Sequence, residues 1–253
     1  MISEKTVKAL EFDKIKDRVA TYAESPSGAA AVRAVVPHTD LPSALDALEY
    51  TKEAYSALYN VLVAPSLAFD DVTDILKALE KQAVLSPAEL LKIAALLRCS
   101  AGFLSAAQRL PKDGYGKISS AAASLYQNGA LREKIESSII GENEIADGAS
   151  ARLGGIRREI RDVNARIRAK LNSYVTGENA KYLQDAIVTV RGGRYVLPVR
   201  SEHRMRVNGL VHDRSASGAT LFIEPFAVLE MNNDLKALRA DEQNEIEAIL
   251  TAL

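Results

Sequence analysis

A near-heptad apolar seam between residues 150 and 177 constrains the fold more than any other feature of the sequence. Its members recur at steps of three or four residues: Leu153, Ile156, Ile160, Val163, Ile167, Leu171 and Tyr174. This spacing predicts one helix of about 26 residues, roughly 40 Å long, with a stripe that another element must cover. Ser150 is suited to cap its start, and Thr176–Gly177 to end it.

A second, looser seam follows Pro225 and predicts the covering helix. It consists of Leu235, Leu238, Ile246, Ile249 and Leu253. Residues 226–253 contain six acidic and two basic side chains, whereas the first seam is rich in arginine. This charge complementarity favours an antiparallel helix pair.

The sequence between the two seams predicts a small antiparallel sheet of three to four strands. Ile187–Arg191 and Arg194–Val199 are joined by Gly192-Gly193, which suits a two-residue hairpin turn. Asn208-Gly209 and Ser215–Gly218 are further turn signals. Pro198 predicts an edge strand, or a strand with that nitrogen facing out of the ladder. Pro225 is expected at the first position of the following helix.

The first half of the chain is predicted to be one helical domain. Residues 3–24 and 29–36 have helical patterns, and Ser86-Pro87-Ala88-Glu89 is a capping box. The acidic stretch Gly141–Gly148 is the expected boundary. We therefore predict a mainly α protein with a helical core at 1–148 and, at 149–253, a coiled-coil-like helix pair (149–177 and 225–253) bearing a β region at 183–224.

Composition excludes several classes of protein. Cys99 is the only cysteine, so an intrachain disulfide and a cysteine-built metal site are both ruled out. His38, His203 and His212 lack metal-ligand spacing. No run of 18 or more apolar residues occurs and no signal peptide is visible, so a cytoplasmic protein without a membrane span is expected.

The net charge of −1 conceals a basic segment. Residues 151–214 contain 14 Lys and Arg against 6 Asp and Glu, whereas the remainder contains 18 against 27. The candidate phosphate-binding residues crowd the β region: Arg191, Arg194, Arg200, Arg204, Arg206 and Arg214. Arginines 157, 158, 161 and 168 are interpreted instead as a solvated helix face, partly paired with the acidic helix.

No catalytic site is predicted. His212, Asp213, Ser215 and Ser217 resemble the composition of a hydrolase triad, but adjacent side chains on a strand point to opposite faces, so turn chemistry is the simpler interpretation. Glu224 is interpreted as a charge favouring a helix N-terminus. Gly116-Lys117 lacks the rest of a phosphate-binding loop.

Several motifs resemble the MutS family, specifically its second subfamily. They are His212–Pro225 (HDRSASGATLFIEP), Ile187–Arg191 (IVTVR), Gly193–Val199 (GRYVLPV), Leu10–Ile15 (LEFDKI) and Val84–Leu91 (VLSPAELL). The resemblance covers the whole chain but only the core, lever and clamp portion of the family's architecture. It implies a longer homodimeric protein with an ATPase domain, which would bind ATP and magnesium, and a C-terminal Smr endonuclease domain.

The resemblance also implies a function. Such proteins act on branched DNA to suppress recombination, or on stalled and collided ribosomes to rescue them, so DNA or ribosomal RNA is the expected partner. The subfamily lacks a mismatch-recognition domain, and a mismatch role is not expected. Two hypotheses stay open: a module that contacts nucleic-acid phosphates through the β region, and a dimerisation and mechanical-coupling scaffold whose arginines pair only with the acidic helix.

Overall fold

The computed structural model describes residues 4–60 and 65–253, and the chain divides into two compact units after Ala146. The expected division was after Gly148. The described residues form ten α-helices and two small antiparallel sheets, which confirms a mainly α protein.

The first unit contains eight helices and a short hairpin. The helices are α1 (Glu4–Ala9), α2 (Phe12–Ala20), α3 (Pro26–Ala34), α4 (Leu41–Asn60), α5 (Thr73–Glu80), α6 (Pro87–Ala107), α7 (Gly116–Ala123) and α8 (Gly129–Ser138). The hairpin consists of β1 (Ile139–Gly141) and β2 (Glu144–Ile145). The helical stretch predicted over residues 3–24 is divided into two helices: residue 3 lies outside the described residues, and Glu11 adopts a left-handed conformation (φ 52°) that separates α1 from α2.

Side-chain caps fix several helix starts in this unit. Ser86 Oγ accepts a hydrogen bond from the Glu89 amide (3.3 Å), and Glu89 Oε2 accepts one from the Ser86 amide (2.8 Å), so the predicted capping box is confirmed. The pKa of the Glu89 carboxyl is lowered first by a hydrogen bond from the Ser86 hydroxyl (2.7 Å) and second by the one from the Ser86 amide. Helix α3 begins three residues earlier than predicted, because Ser25 caps it.

Helix α6 is long and apolar enough to cross a membrane by length and composition. The core helix of a soluble protein passes the same test. Here the helix contacts α7 and α8 and buries Leu90, Ala94, Ala106 and Ala107.

The second unit contains two long helices and a four-stranded sheet. Its elements are α9 (Ala151–Thr176), β3 (Thr189–Arg191), β4 (Arg194–Arg200), β5 (Gly209–Arg214), β6 (Thr220–Pro225) and α10 (Phe226–Ala252). The sheet order is β3-β4-β6-β5, with every pair antiparallel. Short 3-10 segments lie at Asp147–Ala149, Glu178–Tyr182 and Ser201–Arg206. Pro225 is the last residue of β6 rather than the first of the helix, which begins at Phe226.

Helices α9 and α10 pack antiparallel, as their cross-contacts show. Ser150, before the start of α9, contacts Glu245 of α10 (2.8 Å), and Arg157 of α9 contacts Glu242 (2.7 Å). Residue numbers therefore increase along α9 while those of the contacting residues of α10 decrease. Ser150 also caps α9 by accepting a hydrogen bond from the Leu153 amide (2.9 Å), as predicted.

The core of this unit lies between the α9 seam, the sheet and the start of α10. The buried residues are Val163, Ile167, Leu171, Leu183, Tyr195, Leu197, Val199, Val207, Leu221, Ile223, Val228 and Leu235. Ile160, Tyr174 and Leu238 are partly buried against them. The predicted seam therefore does face the sheet and the second helix, and burial of these side chains stabilises the unit.

Glycine and proline set the geometry of the sheet. Gly192 (φ 55°) and Gly193 (φ 77°) both occupy the left-handed region that a tight hairpin requires, as predicted. Strand β4 is an inner strand, so of the two alternatives predicted from Pro198 the edge strand is wrong and the nitrogen facing out of the ladder is confirmed. The Pro198 carbonyl accepts a hydrogen bond from the Gln184 amide (2.8 Å), so it points away from β6. The nitrogen of the same residue points to the same side of the strand. Strand β3 does not pair with β4 at this level, so the missing N–H leaves no ladder bond unmade.

Candidate nucleic-acid interface

The six candidate arginines occupy the ends of strands and one connecting segment of the second unit. Arg191 ends β3, Arg194 begins β4, Arg200 ends β4 and Arg214 ends β5, while Arg204 and Arg206 belong to the 3-10 segment Ser201–Arg206. Their surroundings divide them into two groups, of which only one has free guanidinium groups.

Arg200, Arg206 and Arg214 are exposed at one end of the sheet, here called the basic end. Arg200 pairs with Thr220 across β6 on one side, and Arg214 pairs with Leu221 on the other, so the sheet brings these two residues to the same level. The segment bearing Arg206 contacts both β4 and β6. Within residues 4–60 and 65–253, none of the three guanidinium groups makes a hydrogen bond or ion pair, so each is available to an anion.

Arg191 is only partly committed within the sheet. Its guanidinium lies 4.1 Å from the centre of the Phe222 ring and 3.5 Å from the Asp213 carboxylate. The side chain is 42% exposed. The guanidinium also donates to the Val190 carbonyl (3.0 Å), so only some of its edge donors stay available to a phosphate.

Arg194 belongs to a buried polar network centred on Glu224. Its guanidinium donates to Glu224 Oε1 (2.7 Å) and to Asn233 Oδ1 (2.5 Å), and its side chain is only 19% exposed. Glu224 is completely buried and contacts His212 Nε2 (2.5 Å) through its other oxygen. The interpretation of Glu224 as a helix-terminal charge is wrong, because its carboxylate points into this network.

Asn232 completes the network and continues the sheet. Its amide accepts a hydrogen bond from the Tyr195 N–H (3.1 Å) and donates to the Tyr195 carbonyl (3.1 Å) and to Glu224 (2.7 Å). Strand β6 ends at Pro225, which has no N–H to offer β4 at this level. The side chain from α10 therefore supplies the missing ladder bonds and fixes the helix against the sheet. No sequence signal marked Asn232 or Glu224 for these roles.

Arg204 stabilises the connection between β4 and β5. Its guanidinium donates to the carbonyl oxygens of Val207 (3.4 Å) and Gly209 (3.0 Å). Gly209 is required at this point, since a Cβ there would lie 2.1 Å from the Glu224 carbonyl oxygen. Arg204 and Gly209 therefore fix the connection between β4 and β5, which bears Arg206 of the basic end.

Three of the six arginines of α9 form ion pairs in the described part of the chain: Arg152, Arg157 and Arg161. Arg157 forms ion pairs with Glu242 on α10 and with Asp147 (2.7 Å each), and Arg152 contacts Glu245 (3.4 Å). The hydrogen bond from Arg157 lowers the pKa of the Asp147 carboxyl, with a smaller contribution from Arg161. The expectation that some α9 arginines pair with the acidic helix is therefore confirmed for Arg157.

The serines of the β5–β6 connection are turn residues, as predicted. Ser215 Oγ accepts a hydrogen bond from the Thr220 amide (3.0 Å), Ser217 Oγ accepts one from the Ala219 amide (3.4 Å), and Gly218 has a φ of 72°. His212 contacts Glu224, and among the described residues it makes no hydrogen bond to a serine. In the part of the chain that the structure describes, no three His, Cys, Asp or Glu side chains are grouped to bind a metal ion.

Fold and site together define a mainly helical protein in which a long antiparallel helix pair bears a small, basic sheet. No protein-family model matches the chain. Curated relatives called endonuclease MutS2 match all of it: the protein from Acetivibrio thermocellus is 42% identical over 255 residues, that from Ruminiclostridium cellulolyticum 41% over 256, and that from Clostridioides difficile 40% over 255. The chain spans about a third of the length of each, 32%. The chain belongs to the MutS family, in its second subfamily.

Proposed function

We propose that this chain binds nucleic acid through backbone phosphates, with the basic end as the contact surface. In this proposal the first unit is the core, the α9–α10 pair is the lever and the four-stranded sheet is the clamp of a MutS-like protein. Phosphate contacts by arginine give affinity and strong salt dependence without sequence recognition.

One observation supports this proposal most directly. Arg200, Arg206 and Arg214 are exposed and make no ion pair within the described residues, whereas Arg152, Arg157 and Arg161 of the adjacent helix pair contact acidic side chains. Three exposed guanidinium groups without ion pairs give this end of the sheet a positive charge that attracts anions. A polyanion is the ligand that this arrangement fits.

The proposal divides the six candidate arginines by role. Arg200, Arg206 and Arg214 contact phosphates, and Arg191 joins them by exchanging its contact with Asp213. Arg194 and Arg204 position the surface, because their guanidinium groups are engaged inside the sheet and its connection.

The longer protein is proposed to be a homodimeric ATPase and endonuclease of the cytoplasm. The relatives' name, endonuclease MutS2, supports the nuclease part of this proposal. ATP and magnesium would bind the ATPase domain, which is outside this chain. The proposed target is branched DNA, with stalled or collided ribosomes as the second candidate.

The test is a comparison of two triple variants that remove equal charge. Arg200→Gln/Arg206→Gln/Arg214→Gln neutralises the basic end, and Arg158→Gln/Arg166→Gln/Lys170→Gln neutralises three exposed positions of α9 as the control. Binding to a four-way DNA junction, a linear duplex and purified ribosomes is measured by fluorescence anisotropy or co-sedimentation across a salt series. For duplex DNA, three lost phosphate contacts reduce the slope of log K against log salt by about 2.7.

The expected result is that the first variant loses most of its affinity and this part of its salt dependence, while the control keeps both. Equal losses in the two variants would show that charge alone matters and would contradict the assignment. The preferred ligand of the unmodified chain distinguishes the DNA target from the ribosome.

The alternative function, a dimerisation and coupling scaffold, is favoured by the helix pair. The ion pairs of Arg157 and Arg152 with α10 use arginine for internal stabilisation. This alternative predicts no binding by the unmodified chain to any of the three ligands at low salt.

A further inference from the structure

One highly exposed apolar side chain lies beside Arg206 of the basic end. Met205 is 86% exposed, the highest value among the exposed large hydrophobic residues that the structure describes. It lies between Arg204 and Arg206 in the 3-10 segment that connects β4 to β5. An exposed apolar side chain between two arginines in sequence has no evident role in stabilising the fold.

The segment that bears Met205 is tied down at both ends. The Ser201 amide donates to the Ala219 carbonyl (2.9 Å), and the His203 ring packs edge-on against Tyr182, with ring centres 5.2 Å apart. On the other side, Val207 is buried in the core and the Arg204 guanidinium donates to the Gly209 carbonyl. Met205 is therefore displayed from a fixed base, which lowers the conformational entropy lost when it contacts a ligand.

We propose that Met205 is a wedge that inserts between stacked base pairs of duplex DNA while the basic end binds the flanking phosphates. This inference rests on the proposed nucleic-acid function. Unstacking a base step costs a few kcal/mol, and an inserted apolar side chain recovers part of that cost by burial. The unbranched thioether of methionine is flexible enough to fit the irregular gap of a partly opened step.

Charge complementarity selects this occupant over an apolar protein surface. The exposed groups of the basic end, Arg200, Arg206 and Arg214, are all cationic, and the stacked bases are the apolar surface that a polyanion offers. Glu202 is the one acidic residue of the segment, and its carboxylate lies 3.5 Å from His203 Nε2. Wedge insertion makes a specific demand on the DNA: steps that unstack easily, such as TA, or strands already distorted at a branch, bind more tightly than stiff duplex.

The experiment uses the full chain and a duplex with 2-aminopurine at a central TA step, because the fluorescence of this base rises when it unstacks. Met205→Ala removes the wedge, Met205→Leu keeps an apolar side chain of similar size, and the basic-end triple variant removes phosphate contacts. Affinity, salt slope and 2-aminopurine fluorescence are measured for each. A duplex RNA of the same sequence is the parallel ligand.

Met205→Ala is expected to abolish the rise in fluorescence and to weaken binding to the TA duplex about tenfold, with an unchanged salt slope. Met205→Leu is expected to retain both signals. The salt slope of the triple variant is expected to fall by about 2.7, which reports the proposed function separately from the wedge.

Four results would overturn the wedge. In the first, Met205→Ala binds and unstacks the duplex as the unmodified chain does. In the second, the RNA duplex shows the same dependence on Met205. In the third, the unmodified chain binds with the expected salt slope but leaves 2-aminopurine stacked, which refutes the wedge proposal and supports phosphate binding. In the fourth, the unmodified chain binds no DNA at low salt, which removes both proposals.

Discussion

Arg194→Gln is expected to destabilise the sheet of the second unit strongly, although the sequence does not distinguish Arg194 from the other candidate arginines. The substitution removes the guanidinium that donates to Glu224 and Asn233. Glu224 is completely buried and keeps only His212 and Asn232 as partners, so its charge loses the principal compensating group.

The magnitude follows from this burial. Removing one partner of a buried ion pair costs about 3–5 kcal/mol, because the other charge is left uncompensated. The Arg194 side chain is 19% exposed and Glu224 keeps two hydrogen-bonding partners, which places the expected loss near the lower limit, about 3 kcal/mol. Arg214→Gln, at an exposed arginine without an ion pair in the described chain, is expected to change stability by less than about 0.5 kcal/mol.

Hydrogen exchange measured by mass spectrometry separates this effect from the first unit. The chain has no tryptophan and divides into two compact units, so a single unfolding signal would combine both. A loss of about 3 kcal/mol accelerates exchange of the β4 and β6 amides roughly 100-fold. Exchange in Arg194→Gln within about threefold of that in Arg214→Gln would refute the assignment of Arg194 as a structural residue.

Three further substitutions test local features. Gly209→Ala places a Cβ 2.1 Å from the Glu224 carbonyl oxygen, and a loss of about 3 kcal/mol is expected in exchange of the β5 and β6 amides; a loss below about 1 kcal/mol would contradict the close approach. Ser86→Ala removes the α6 cap, and exchange of its first-turn amides is expected to show a loss of about 1 kcal/mol, whereas unchanged rates would contradict the cap. The Asp147 pKa is lowered by Arg157, so this carboxylate stabilises the fold above its unfolded pKa of about 3.9 and the contribution is lost as pH falls through the lower folded pKa. An NMR titration is expected to show the Asp147 pKa rising in Arg157→Gln, and an unchanged value would exclude the ion pair.

Local signals predicted the elements well. The α9 seam repeats at helical spacing over seven positions. An apolar face of this length is buried whichever element covers it, so the helix and its buried face can both be predicted without tertiary information. One type of two-residue hairpin turn requires positive φ at both of its residues, and Gly192 and Gly193 both adopt it readily. The Ser86 capping box is likewise contained within four residues, so no tertiary information is needed to predict it.

The divided roles of the arginines could not be predicted in this way. Arg194 and Arg200 lie at opposite ends of one strand, and nothing in their neighbours along the chain distinguishes them. The difference arises from Glu224, 30 residues later, and from Asn233 on α10. Glu224 was misinterpreted for the same reason, since a carboxylate before Pro225 resembles a helix-terminal charge until its partners on β4, β5 and α10 are known.

Photocrosslinking tests the central claim, nucleic-acid contact at the basic end, most directly. A photoreactive amino acid is placed at Ala216, exposed in the β5–β6 turn beside Arg214, or at Ala248, exposed near the end of α10. No other residue is substituted, so the arginines of the basic end stay in place in both variants. We predict a crosslink to duplex or branched DNA, or to ribosomal RNA, from position 216 and none above background from position 248. Crosslinks from position 248 with none from position 216 would contradict the account.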